Sequence, residues 1–248
     1  MPVFRSIVFS AALAGLIVGV VISVAQFLGT VPLIQQSEVY ERKAEVPPQP
    51  AAPQGVAAAH DHDKAHDHES AWEPKQGFQR NAFTAAANIL TAIGFALLLV
   101  GIYAIRPQPV TWREGLAWGL GGFMVFTIAP GMGLPPELPG MPVADLTARQ
   151  TWWIATAATT AAGLCLLAFR SSAWAAVVGL VLIAVPHLIG APVAPEAHSE
   201  VPAALSHRFV VIVTLTSLLF WALLGVSTSI AFSLFRGRSH KATQTLPA

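Results

Sequence analysis

The sequence predicts an all-α fold, a polytopic membrane helix bundle of about six transmembrane helices, with five as the alternative, and with the N-terminus and C-terminus cytoplasmic. Three observations point there. Of 248 residues, 54% are hydrophobic and only 11% are charged, less than half the ~25% charged residues of ordinary soluble domains. Apolar runs recur at the length a helix needs to cross a ~30 Å hydrocarbon core. The short connections on one side are enriched in Lys and Arg.

The apolar runs cover residues 6–28, 83–105, 115–132, 151–169, 173–189 and 209–235. The third and fifth are short and stop near Pro130 and Pro186, so a pair of re-entrant segments is the competing reading. In the first, Ala11, Gly15 and Gly19 recur every four residues. They either make a small-residue face for close helix packing or reflect a chain rich in alanine and glycine. Arg5 followed by an apolar stretch and Ser23-Val24-Ala25 also has the form of a cleavable signal. The run is longer than a usual signal core, which favours a retained helix.

Six crossings from a cytoplasmic N-terminus place Arg5, Arg106, Arg113, Arg170, Arg236, Arg238 and Lys241 inside, with Glu114 as the one inner acid. The other acidic residues all fall outside; basic residues occur there too, five of them in the long first loop, which the positive-inside rule, a Lys/Arg bias of short loops, tolerates. Trp112, Trp152, Trp153 and Trp174 lie near span ends, where an aromatic belt would sit. The expected organisation is a first helix (1–28), an outer loop (29–82), a bundle (83–235) with a Pro/Gly-rich outer loop at 129–150, and an inner tail (236–248).

The outer loop holds a Pro/Ala-rich stretch over 46–59, expected to be extended and mobile. A dense cluster follows: His60, His62, His66 and His68 interleaved with Asp61, Asp63, Asp67 and Glu69. Neutral imidazole suits Zn, Ni, Cu and Co ions, and carboxylates add harder donors. Such a tract on a flexible arm captures an ion rather than transforming it, and its hold should weaken below about pH 6.5. A merely solvated spacer is the bland alternative.

The second outer loop, "APGMGLPPELPGMPVADLTARQTWW", is rigid with proline and glycine. Glu137 sits in its Pro-Pro-Glu-Leu-Pro frame. Asp145 and Arg149, four apart, are expected to pair at the start of the fourth span. Met132 and Met141 add soft sulfur. The loop reads either as a vestibule or as a plain reversal of the chain. His187 follows Pro186, where the helix is expected to break, and is either a ligand or a structural histidine. Asn88 lies inside the second span and either bonds a neighbouring helix or lines a polar path.

Net charge of +1 offers no basis for binding nucleic acid, and the lone Cys165 forms no internal disulfide. There is no G-x-x-x-x-G-K-[ST], H-E-x-x-H or C-x-x-C motif, so ATP hydrolysis and a defined zinc site are not expected of this chain. No catalytic constellation converges in the spans, and no tightly bound cofactor is expected.

The phrases "GLPPELPGMPVADLTARQTWW" and "PHLIGAP", with the "LTAIGFALLL" span and the "HDHDKAHDHESAWEPKQGFQR" loop, resemble the CbtA family of probable cobalt transporter subunits. The resemblance covers nearly the whole chain. It implies a cobalt uptake component with five spans, a small single-span CbtB-like partner, and an association with cobalamin metabolism in bacteria. No catalytic residue is carried over; the matched positions of interest are Glu137, Asp145, Arg149 and His187. The expectation is a permease, or permease subunit, of the bacterial inner membrane. It would take up a divalent transition-metal cation: cobalt by resemblance, with Ni, Zn or Cu equally compatible with the side chains. A membrane metal sensor or accessory protein without transport of its own is the alternative.

Overall fold

The computed structural model describes residues 2–45, 74–75, 77–195 and 199–244. Among them, seven helices form the fold: α1 (Pro2–Leu28), α2 (Thr30–Glu45), α3 (Phe78–Ile105), α4 (Trp112–Gly133), α5 (Leu146–Phe169), α6 (Ala173–Ile189) and α7 (Ala203–Gln244). Within α4, residues Met124–Ile128 form a π-helical turn. Helices are what an apolar chain must adopt where no water can bond its peptide groups.

Five of these helices are long and apolar enough to cross a membrane; α6, with 17 residues, is shorter. At 1.5 Å per residue it reaches about 25 Å. Even so, it runs antiparallel beside α5 from the tight turn at 170–172. Gly163 meets Gly179 midway, and Trp152 Nε1, near the start of α5, donates to Pro186 O at 3.2 Å. So α6 returns the chain to the end from which α5 set out, and six helices alternate in direction. The expected break at Pro186 does not occur. The helix carries the proline inside it and runs on to Ile189, its last turn closed by Gly190 N donating to Pro186 O at 3.0 Å.

Glycine seams set the crossings. The faces of Gly15 and Gly19 lie against Ile93 and Ile89 of α3, and Ala11 beside them is fully buried, so the small-residue face is a packing face. On the other side of the bundle, Gly115 and Gly119 of α4 touch the backbone of Gly225 and Trp221 of α7. Phe9 stacks with Phe235, and a methyl on Gly29 would touch Ile212. Thus α1 and α7 are antiparallel, and the start of α1 shares an end with residue 235.

At that end, Thr111 caps α4. Its Oγ1 accepts from Glu114 N, and the Glu114 carboxylate accepts from Thr111 N at 2.8 Å, the reciprocal arrangement of a capping box. Arg106 Nη2 reaches the same carboxylate at 3.2 Å. Trp112 and Trp174 are exposed there, but Trp152 is buried and holds α6 instead of facing an interface.

The opposite end has an unexpected roof. The stretch expected to open the outer loop is helical: α2 begins one residue after α1, with Pro32 in its first turn, where a missing N–H is harmless. Leu33, Ile34 and Tyr40 recur at helical spacing and pack with Leu138, Val201 and Phe209. Ser37 Oγ donates to Pro139 O at 2.6 Å, and Arg80 Nη2 pairs with Glu38 at 2.6 Å. α2 therefore clamps the Pro-rich loop to the start of α7.

Close backbone contact predicts a sharp sequence dependence. A methyl group on Gly119 would overlap the Trp221 carbonyl, whereas one on Gly121 meets nothing within 4 Å. Gly119→Ala should lower thermal stability in detergent by about 1–3 kcal/mol, with Gly121→Ala close to the parent protein. Equal melting temperatures for the two variants would contradict this packing.

Candidate functional site: a cleft beneath the Pro-rich loop

The site begins with Pro130. A proline inside a helix has no N–H for the carbonyl four residues back and presses its ring against it. Here that carbonyl belongs to Phe126. The helix widens just ahead of the proline: over Met124–Ile128 the bonding shifts by one residue, and Ala129 N donates to Met124 O. Such single π turns re-aim side chains and are frequent at functional sites. Phe126, Thr127 and Ile128 all border one cleft.

The cleft has a volume of about 930 Å³ and lies between α4, the Pro-rich loop, α5 and α7. Its apolar walls include Phe126, Leu146, Trp153 and Val210, and its polar groups are Thr127, Glu137, Arg149, Gln150, Thr214 and Ser217. From Val210 to Ser217 it descends about two turns along α7. Phe126 also stacks on Trp221 with ring centroids 5.5 Å apart and lies 6.1 Å from Trp153. An apolar pocket with a few convergent polar groups is the usual form of a binding site.

Glu137 is presented by a rigid arm. The following residue, Leu138, is buried; its N–H donates to Met141 Sδ, and its carbonyl accepts from Met141 N at 3.2 Å. Gly140 holds a φ of 79°, a conformation that disfavours a side chain, and rests against Glu41 of α2. With its C-terminal side bolted down, the arm turns the carboxylate into the cleft.

The carboxylate meets Arg149. Arg149 Nη2 lies 2.7 Å from Glu137 Oε2, with both side chains partly exposed. Oε2 is itself buried and receives no hydrogen bond of acceptable direction. The two charges are thus close without a hydrogen bond to that oxygen. Charge is compensated without the directed bond that makes Arg–carboxylate pairs strong.

Asp145 and Arg149 do not pair through their side chains, contrary to expectation. Asp145 is the N-cap of α5 and accepts from Ala148 N at 2.9 Å. A helix's first N–H groups have no partner within the helix, so the carboxylate bonds the nearest one, leaving Arg149 for Glu137.

The other candidates lie elsewhere. His187 is half-buried with its ring edge-on to Trp152 at 5.8 Å and does not border the cleft. Asn88 Nδ2 donates to Ser23 Oγ at 3.2 Å and to Gln26 Oε1 at 2.9 Å, joining α3 to α1 as the interhelical reading expects. His60, His62, His66, His68, Asp61, Asp63, Asp67 and Glu69 lie outside the described residues. Among those described, no three His, Cys, Asp or Glu side chains converge.

The sequence does not mark Thr127, Gln150, Thr214 or Ser217, and it marks Trp153 only as a belt residue, whereas all five border the cleft. The one local signal was Pro130 inside an apolar run, which marks where a helix must distort. Chemically, the cleft offers one fixed carboxylate oxygen pair, hydroxyl and amide groups, and a competing guanidinium. That set can strip part of a cation's hydration without enclosing it.

No curated protein and no solved structure matches the chain. A family model does, over residues 4–233, and its description is "Probable cobalt transporter subunit (CbtA)". With nearly the whole length matched, the chain belongs to the CbtA family of probable cobalt transporter subunits.

Proposed function

We propose that this chain is the membrane-embedded subunit through which a divalent transition-metal cation, cobalt by family, is taken up from the outer side. The cleft bounded by Glu137 and Arg149 is the way in. The observation that carries this reading is a carboxylate carried by an anchored loop at the mouth of a partly polar cleft that runs down between spans. An ionisable group at such a place is functional by default.

The six alternating helices are read as six crossings, with Arg5, Arg106, Arg113, Arg170 and Arg236 gathered at the cytoplasmic end. The roof formed by α2 and the Pro-rich loop then faces outward. The segment from His60 to Glu69 falls in sequence between α2 and the start of α3, and is read as a capture arm on that side that raises the local ion concentration. Passage needs no bond chemistry, so the role is transport and not catalysis. The family's designation as a subunit implies partner subunits; a small single-span CbtB-like chain is the partner proposed. The membrane is the bacterial inner membrane.

Orientation is checked by labelling. In a Cys165→Ser background, Val143→Cys in the Pro-rich loop should react with a membrane-impermeant thiol reagent added outside intact cells, and Arg170→Cys should not. The reverse pattern inverts the protein and removes the capture arm from the outer face.

Function is checked by reconstituting the chain in vesicles, alone and with a CbtB-like partner, and comparing fluxes of Co, Ni, Zn and Cu ions. Glu137→Gln should raise the half-saturating cobalt concentration about tenfold or more, the scale of one lost charged contact. Replacing the four histidines by alanine should slow uptake at scarce metal and leave it unchanged at abundant metal. Flux indifferent to Glu137 would end the reading of the cleft as the path.

A further inference from the structure

The two halves of the cleft's ion pair are built differently. Glu137 sits on an arm fixed by Leu138, the Ser37–Pro139 bond and Gly140. Arg149 is a long side chain from the first turn of α5, whose backbone is held by the Asp145 cap. The carboxylate hangs from an anchored stretch of backbone, whereas the guanidinium reaches it on a long, partly exposed side chain. Their contact has the distance of an ion pair, 2.7 Å, yet no directed hydrogen bond to the buried Oε2. The guanidinium is drawn to that oxygen by charge, without a hydrogen bond to it, and charge is what an arriving cation brings.

We infer that Arg149 is a tethered competitor for the cation site on Glu137, displaced when a divalent ion binds and returning to expel it. This deepens the proposed function and rests on the cleft being the cation's path. A +2 ion attracts the carboxylate more strongly than a +1 guanidinium at equal distance, so exchange is favourable when metal is present. Once the ion moves down toward Thr214 and Ser217, the tethered charge closes behind it at high effective concentration. The same competition keeps affinity modest, as a conduction site requires: binding must be weak enough to release. Arg149 is thus a positioning and specificity residue, admitting ions whose charge outbids a guanidinium and holding out monovalent ones.

The test uses full-length protein in which His60, His62, His66 and His68 are alanine, so that the capture arm does not mask the cleft. Cobalt affinity in detergent is measured by calorimetry, and flux in vesicles, for the parent, Arg149→Gln, Arg149→Lys and Glu137→Gln. Helix content and monodispersity select folded samples. The expectation is that Arg149→Gln binds cobalt about fivefold more tightly, the ceiling for a partly exposed pair, while its maximal flux falls. Arg149→Lys keeps the charge and should restore both values toward the parent. Arg149→Gln should also let sodium compete with cobalt where the parent does not. If Arg149→Gln binds more weakly or unchanged while Glu137→Gln loses binding, the path stands and the competitor role is wrong. If Glu137→Gln binds cobalt as the parent does, the path itself is wrong.

Discussion

Every peptide group of this chain that lies in hydrocarbon must find its partner within the protein, and Pro130 is where the bundle meets that demand by distortion. The proline withholds an N–H within the last turn of an apolar helix. The helix answers with the π turn at Met124–Ile128. The turn sets Phe126, Thr127 and Ile128 along one cleft. The cleft is thus a consequence of how α4 stays bonded, and the Pro-rich loop that roofs it continues directly from the same helix.

The rest of the bundle is arranged so that this distortion stays local. Glycine seams bring α1 against α3, α4 against α7 and α5 against α6 at backbone contact, the packing available where lipid is as apolar as the side chains. The α4–α7 seam at Gly115, Gly119 and Gly225 sits one to three turns before the π turn, so the lower half of α4 is held while the upper half opens. Above, α2 and the start of α7 clamp the loop through Leu33, Leu138, Val201 and Phe209. Between a fixed floor and a fixed roof, the long side chain of Arg149 is the adjustable charged part.

Much of the fold was legible because hydropathy in membranes is a strong signal: each apolar run lies within one observed helix, although hydropathy marks only the apolar middle. α5 begins at Leu146 rather than 151 because the Asp145 cap starts it in a polar turn, which hydropathy ignores. α2 escaped because its glutamines, glutamates and basic residues dilute the Leu33–Ile34–Tyr40 stripe. The site was legible only in part. Glu137 and Arg149 were both marked, but Arg149 was assigned to the wrong carboxylate, because spacing of four favours Asp145 and a cap contact has priority there. Thr127, Thr214 and Ser217 come from two helices far apart in sequence, and single hydroxyls in apolar helices carry no local signature. Asn88 was legible as a group needing a partner, though its partners on α1 were not.

The most direct measurement of the central claim is the position of cobalt itself. A crystal or cryo-EM structure of the cobalt-loaded chain, with the metal identified by anomalous scattering at the cobalt edge, locates it without reference to activity. The account predicts a cobalt peak in the cleft on the carboxylate of Glu137, with the Arg149 guanidinium turned away from it. Within the bundle, a peak at Asn88, Ser23 and Gln26, or at His187 beside Trp152, with the Glu137–Arg149 pair still closed, would contradict it.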